Sequence, residues 1–190
     1  MVPFLAFLCY NALERMEECH MIIETERLVL TELTADMAGD ILRNSQDDDN
    51  RRFVPDEVFD TLEEAQEVVA FLMEAAQADG PYLYPLLTKE GENIGYVQAC
   101  MAENGWEVGY HIAKTHTGKG YATEALGAFL PFIMDKLNIN SIDGIVLEEN
   151  IASHRVLEKC GFELIFNGVA SYQGQPREVR RYVWPQKGNL

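Results

Sequence analysis

Trp106-Glu107-Val108-Gly109-Tyr110-His111-Ile112-Ala113-Lys114-Thr115-His116-Thr117-Gly118-Lys119-Gly120-Tyr121-Ala122-Thr123-Glu124-Ala125 passes from a strand pattern through a glycine turn into the start of a helix. At such a junction several backbone amides point outward without partners, and the helix dipole adds partial positive charge, so the turn suits a phosphate. Gly118 and Gly120 let the backbone approach that phosphate with no Cβ in the way. A tight strand-to-helix turn without a ligand uses the same two glycines, so the pattern alone leaves both readings open. Other phosphate loops fit worse. A Walker loop ends in Gly-Lys followed by Ser or Thr, whereas Lys119 is followed by Gly120. A dinucleotide fingerprint needs a third Gly or Ala where Thr123 stands.

Working outward, three extended segments, 82–89, 93–101 and 105–113, are joined by hairpin breaks at Lys89-Glu90-Gly91-Glu92 and Glu103-Asn104-Gly105. Strands joined this tightly are antiparallel. Before them, a strand over 22–32 is followed by Thr34, placed to cap a helix over 35–44, and Asp47-Asp48-Asp49-Asn50 reads as a solvated loop. A capping box, Thr61-x-x-Glu64, opens a helix over 61–78 with Leu62, Ala65, Val69 and Leu72 as its inward stripe, ended by Gly80-Pro81. After the glycine turn, a helix reaches Leu137 with Ala122, Ala125, Leu126, Phe129 and Ile133 on one side and an expected kink at Pro131. Strand 141–147, helix 151–160, strand 162–167 and strand 177–184 complete the chain. Crossovers force parallel pairing and hairpins antiparallel pairing, so the expected fold class is α/β (α+β), a mixed sheet with helices on its faces.

The 190 residues form one domain rather than two, and 47% apolar residues supply a sizeable core without disulfide staples. Thirty-one acidic residues against fifteen basic ones give a formal charge of −16. That field repels a phosphate backbone, so no nucleic acid is expected as partner, and it attracts cationic ligands such as amines. Cys9, Cys19, Cys100 and Cys160 form no paired framework and suit free thiols in a reducing, cytoplasmic setting. His111 and His116 lack further ligands at metal spacing, so no metal is expected. No run is long enough for a membrane helix, and no membrane partner is expected. Residues 2–10 are apolar, but no Lys or Arg precedes them and no small-x-small site follows. Met21 is read as a natural start, or residues 1–20 as an accessory helix, which gives an extension over 1–20 and a domain over 21–190.

Three blocks then resemble the GNAT superfamily of N-acetyltransferases, in the branch of the RimJ and RimL ribosomal-protein acetyltransferases. They are Glu107-Val108-Gly109-Tyr110, Gly118-Lys119-Gly120-Tyr121-Ala122-Thr123-Glu124-Ala125, and Asn150-x-x-Ser153-x-x-Val156-Leu157-Glu158-Lys159-x-Gly161-Phe162. Thr25-Glu26-Arg27-Leu28-Val29-Leu30 and Ile94-Gly95-Tyr96 also match, so the resemblance spans about Ile22 to Trp184. Two positions depart from the family pattern: Thr115 stands for its usual Gln or Arg, and Thr117 for an aromatic residue.

The resemblance implies a mostly antiparallel sheet splayed between its fourth and fifth strands. It implies acetyl-CoA as cosubstrate, with its diphosphate on the amides of Gly118, Lys119, Gly120, Tyr121 and Ala122. Its pantetheine arm would lie along Ile112 to Lys114, with Asn150 contacting it. Glu107 would be the base and Ser153 would serve the departing sulfur, with His111 as the alternative base. Each residue also has a plain structural reading: Glu107 as an exposed strand carboxylate, Asn150 or Ser153 as a helix cap, Lys114 and Lys119 as solvated surface. Tyr110 is read as core, His154 as surface, Trp106 and Trp184 as packing, and Gly161-Phe162 as a helix stop and anchor. Cys100 and Cys160 have no nucleophile setting, so transfer would be direct. The acceptor is expected to be an amine, either a peptide N-terminus or a small molecule, received by loops 34–60 and 168–176, and the chain to be a monomer or homodimer. The rival readings are a non-catalytic acyl-CoA sensor, which would need neither Glu107 nor Ser153, and a nucleotide-binding protein.

Overall fold

Alternating apolar and polar runs, broken by the glycine turns above, set the element order in a computed structural model that describes residues 21–78 and 80–185. The extension read over 1–20 lies outside the described residues. The strands are β1 (Met21–Glu24), β2 (Leu28–Thr31), β3 (Tyr82–Thr88), β4 (Asn93–Ala102), β5 (Gly105–Ile112), β6 (Ser141–Leu147), β7 (Glu163–Tyr172) and β8 (Gln175–Pro185). The helices are α1 (Ala38–Ser45), α2 (Asp48–Phe53), α3 (Leu62–Ala75), α4 (Tyr121–Leu137) and α5 (Ile151–Lys159). One sheet runs in the order β1-β2-β3-β4-β5-β6-β8-β7.

Every neighbouring pair is antiparallel except β5 and β6, which are parallel and share a single rung, Glu107 opposite Asp143. Beyond that rung the two strands diverge. This is the expected splay, and it falls at β5/β6 because the strand read over 22–32 divides into β1 and β2 around a turn closed by the Leu28 amide donating to Thr25 Oγ1 at 2.9 Å.

The core follows the 3.6-residue period of α4, whose Ala125, Leu126, Phe129, Leu130, Ile133 and Met134 are buried against Leu28, Leu30, Leu86, Ile94, Val97 and Val108 of the sheet. The helix continues through Pro131 to Leu137. A smaller cluster joins Ala38 of α1 to Ala65 and Val69 of α3.

Four local readings change. Residues 47–50 are not a loop: Asp47 caps α2 by accepting from the Asn50 amide at 2.9 Å, and Asn50 is buried. Acidic Asp48 and Asp49 in the first turn, with Arg51 and Arg52 in the last, complement the helix dipole, so the charge cluster stabilises a helix. The Thr61 capping box is present, but Leu62 is 42% exposed and the buried stripe of α3 narrows to Ala65 and Val69. Thr34 makes no cap bond with its side chain, which turns to Asp36 instead. Finally, β7 and β8 are longer than expected, and β8 inserts between β6 and β7. Gln173 and Gly174 both have positive φ, the two-residue turn geometry that matches strand twist, so the hairpin extends to its tip.

Candidate active site

The divergence of β5 and β6 opens a cleft of about 700 Å³. Val108, Gly109, Tyr110, His111 and Ile112 line it from β5, and Gly144 to Leu147 from β6. Its floor continues to the glycine turn, where Gly118, Gly120, Tyr121, Ala122 and Thr123 also reach it. Gly118 and Gly120 have φ of +74° and +85°, the left-handed region that glycine enters without cost. A Cβ on Gly118 would meet nothing within 4 Å, so the space over the turn is open. The first backbone bond of α4 runs from the Glu124 amide to the Gly120 carbonyl at 3.1 Å, which leaves the amides of Tyr121, Ala122 and Thr123 as the orphan donors of a helix start. The residues present therefore fit a diphosphate.

A brace holds this turn. The Arg27 guanidinium donates to Glu124 Oε2 at 2.6 Å and to the Lys119 carbonyl at 2.9 Å, and lies 4.5 Å from the Tyr121 ring centre. Thr25 Oγ1 and the Arg27 amide donate to Glu124 Oε1 at 2.6 and 2.8 Å. Burial pushes the Glu124 carboxyl up, but these hydrogen bonds and the guanidinium outweigh it and hold the group below its usual range. The Thr25-Glu26-Arg27 motif is thus the clamp that neutralises Glu124 beside the glycine turn. Arg27→Ala is expected to weaken acetyl-CoA binding about tenfold, the loss of roughly one charged hydrogen bond, while leaving the fold intact; calorimetric titration and circular dichroism check both.

On α5, Asn150 Oδ1 accepts from the Ser153 amide at 3.2 Å, so Asn150 caps the helix while lining the cleft. Ser153 lines the cleft too, and its carbonyl accepts from Tyr110 Oη at 3.1 Å, which fixes β5 to α5 across the fork. Tyr110 packs on the core as expected. Arg155 and Lys159, one turn apart, line the cleft; Lys159 lies in the third motif block, whereas Arg155 falls on one of its unassigned positions. Cys160 Sγ lies 3.6 Å from the Thr123 carbonyl, so this end of α5 abuts the glycine turn.

The opposite end of the cleft is acidic and aromatic. Glu57, in the 3-10 turn Pro55–Glu57, accepts from Tyr96 Oη and, at 3.2 Å, from Gln98 Nε2. Burial lifts its carboxyl to about 6, partly offset by the Gln98 bond. Gly109 makes this possible, because a Cβ there would stand 2.9 Å from Gln98 Nε2. His111 packs beside Tyr96 with ring centres 5.8 Å apart. Its Nε2 is buried without a hydrogen-bond partner, Asp47 Oδ2 being 3.6 Å away. Burial lowers the imidazole pKa, with Asp47 opposing. Phe53 and Tyr172 close this end, Tyr172 Oη donating to the Phe53 carbonyl at 3.3 Å.

Glu107 shares the face of Gly109 and His111 but does not line the cleft. It sits at the only rung joining β5 to β6, where the fork is still closed, about 7 Å along the strand from Gly109. Burial and Asp143 raise its carboxyl, with Arg181 opposing. Ile112 lines the cleft, whereas Lys114 and Lys119 are exposed outside its lining, Lys114 pairing with Asp49. His154, read as surface, is 3% exposed: its ring bonds the Glu148 carbonyl at 3.1 Å and Tyr182 Oη at 3.2 Å, because α5 turns the His154 and Leu157 side inward onto β8. Trp106 stacks on Tyr82 and Trp184 Nε1 donates to the Cys160 carbonyl, both packing roles. Gly161, at φ +86°, ends α5 ahead of buried Phe162. Burial pushes both Cys100 and Cys160 up to about 11.

A fork in a mostly antiparallel sheet, beside a glycine turn that opens a helix, is the architecture of an acyl-CoA-using transferase. The model of the acetyltransferase (GNAT) domain matches residues 27–163, so the chain belongs to the GNAT acetyltransferase family and is an N-acetyltransferase. The uncharacterized N-acetyltransferase YoaA of Bacillus subtilis (strain 168) is 25% identical over 146 residues, 75% of this chain and 82% of YoaA. A GNAT-family acetyltransferase from Bacillus anthracis superposes with a TM-score of 0.75 at 22% identity, covering 88% of this chain and 99% of that one. RimL, a ribosomal L7/L12 α-N-protein acetyltransferase in complex with coenzyme A, superposes with a TM-score of 0.73 at 18% identity, covering 90% of this chain and 100% of RimL. The fold is thus shared with RimL, as the motifs led one to expect.

Proposed function

We propose that this chain moves an acetyl group from acetyl-CoA directly to a primary amine, with a peptide N-terminus as the leading acceptor class. The observation that carries this reading is one continuous cleft joining the orphan amides at Gly120–Thr123 to the acidic end around Glu57, through the gap between β5 and β6. The β5 edge from Val108 to Ile112 has no β6 rung, so its amides and carbonyls are disposed to pair with an extended pantetheine arm. Arg155 and Lys159 meet phosphate charge at the glycine end. Ser153 returns a proton to the departing thiolate, and Asn150 holds both α5 and the arm. The peptide preference draws on the shared fold of RimL, whose acceptor is a ribosomal protein; a small amine is the alternative. The reducing setting read from the sequence suits Cys100 and Cys160, which are free thiols.

Thiol release from acetyl-CoA, measured across peptide N-termini and small amines, tests this. The expected result is acceptor-dependent release, reduced about 10- to 100-fold in kcat by Ser153→Ala with acetyl-CoA affinity unchanged. Tight acetyl-CoA binding with no release from any amine would replace the transferase with a sensor.

A further inference from the structure

Transfer to an amine at neutral pH begins with an ammonium that must lose a proton, so the acceptor end needs a place for the cation and a base. Charge along the cleft is divided. Arg155 and Lys159 stand on α5 toward the glycine turn, while Asp49, Glu57 and Glu149 line the rest. Arg52 and Arg177 are held by Glu149, at 2.6 and 3.7 Å. One group singles out a spot in the acidic part. Glu57 is a buried carboxylate with a polar cradle of Tyr96 and Gln98, and among the described residues no cation is paired with it. His111, on the neighbouring strand, turns its Nε2 to Asp47 Oδ2 at 3.6 Å, which leaves Glu57 as the carboxylate of this spot.

We infer that the acceptor's ammonium docks on the Glu57 carboxylate, and that Glu57 takes its proton. This rests on the transferase reading. One N–H proton passes to Glu57 and on to solvent; the neutral nitrogen then forms the C–N bond to the thioester carbonyl carbon. As the C–S bond breaks, the second proton on nitrogen passes, through Ser153, to the thiolate. Protons and electrons balance without another reactant. Desolvation by the walls of Phe53, Tyr96 and Tyr172 places the Glu57 carboxyl at about 6, near the working range of a base. Facing groups are Asp56 on its own turn, Tyr96, Gln98 and Cys100 on β4, Glu107 and His111 on β5, and Tyr172 on β7 with Arg177 beyond it.

The test pairs kinetics with binding. In the full chain, kcat/KM is expected to rise with pH through about 6. Glu57→Gln should lower it at least a hundredfold and abolish that limb, with acetyl-CoA affinity unchanged, while Glu57→Asp should restore part of the rate and the limb. Triglycinamide, titrated by NMR against protein saturated with coenzyme A, should bind at least tenfold more weakly to Glu57→Gln, and its N-acetyl form should not bind. Wild-type rates and an intact limb in Glu57→Gln would overturn the assignment, as would a limb that disappears in Glu107→Gln instead. If no amine releases thiol yet triglycinamide binding depends on Glu57, the ammonium site stands and the transferase reading falls.

Discussion

An alanine at position 95 is expected to lower stability by on the order of 3–5 kcal/mol and the melting temperature by roughly 10 °C, although it adds one methyl group. The added Cβ would lie 2.0 Å from the His111 carbonyl oxygen, 2.9 Å from its carbonyl carbon and 3.1 Å from Ile112 Cα. All three are backbone atoms, so no side chain can swing away, and the φ of +146° at Gly95 is one that alanine resists. Relief requires β5 to lift off β4 at the Gly95–Ile112 rung, the last before the chain leaves for the glycine turn. His111 and Ile112 line the cleft, so acetyl-CoA affinity should fall together with stability. Thermal unfolding and calorimetric titration of Gly95→Ala check both; a melting temperature within 2 °C of the parent would mean the strands do not approach this closely.

That glycine shows how far the sequence could be read and where it stopped. Ile94-Gly95-Tyr96 was visible as a strand motif, and the hairpins on either side of β4 were legible because their turns are local. The glycine turn at 118–120 was legible for the same reason: positive φ, open space and a helix start all arise within a few residues. Glu107 and Glu57 mark the limit. The motif pointed to Glu107, but the rung at which β5 and β6 part depends on how two strands 36 residues apart are held, as the Glu107–Asp143 pairing shows. Glu57 lies in the stretch 34–60, read only as an acceptor loop, and its partners Tyr96 and Gln98 are 39 and 41 residues away. Only the packing of the Pro55–Glu57 turn over β4 turns a solvated carboxylate into a buried one. His154 was misread likewise, because its partner Tyr182 arrives from β8, the strand whose insertion beside β6 no local pattern announces.

Gly120→Val should show the opposite division between stability and binding. Position 120 is exposed, and a Cβ there would have Arg27 Nη2 at 3.5 Å, an ordinary contact, so packing is not the obstacle. The obstacle is φ +85°, which costs an L-residue about 1–2 kcal/mol, and a β-branched one more, unless the peptide rotates. Rotation re-aims the amides of Gly120 and Tyr121 and disturbs the Lys119 carbonyl held by Arg27. If the peptide does not rotate, the isopropyl group stands over the same amides. Either way a diphosphate loses two or more charge-assisted bonds of about 1.5–3 kcal/mol each, so acetyl-CoA affinity should fall at least a hundredfold. The melting temperature should drop by only a few degrees, because the strain sits at a solvent-facing helix start. Titration with acetyl-CoA and a thermal scan on the same sample separate the two effects. Unchanged affinity in Gly120→Val would remove the phosphate from this turn, and with it the placement of every group along the cleft that is measured from that end.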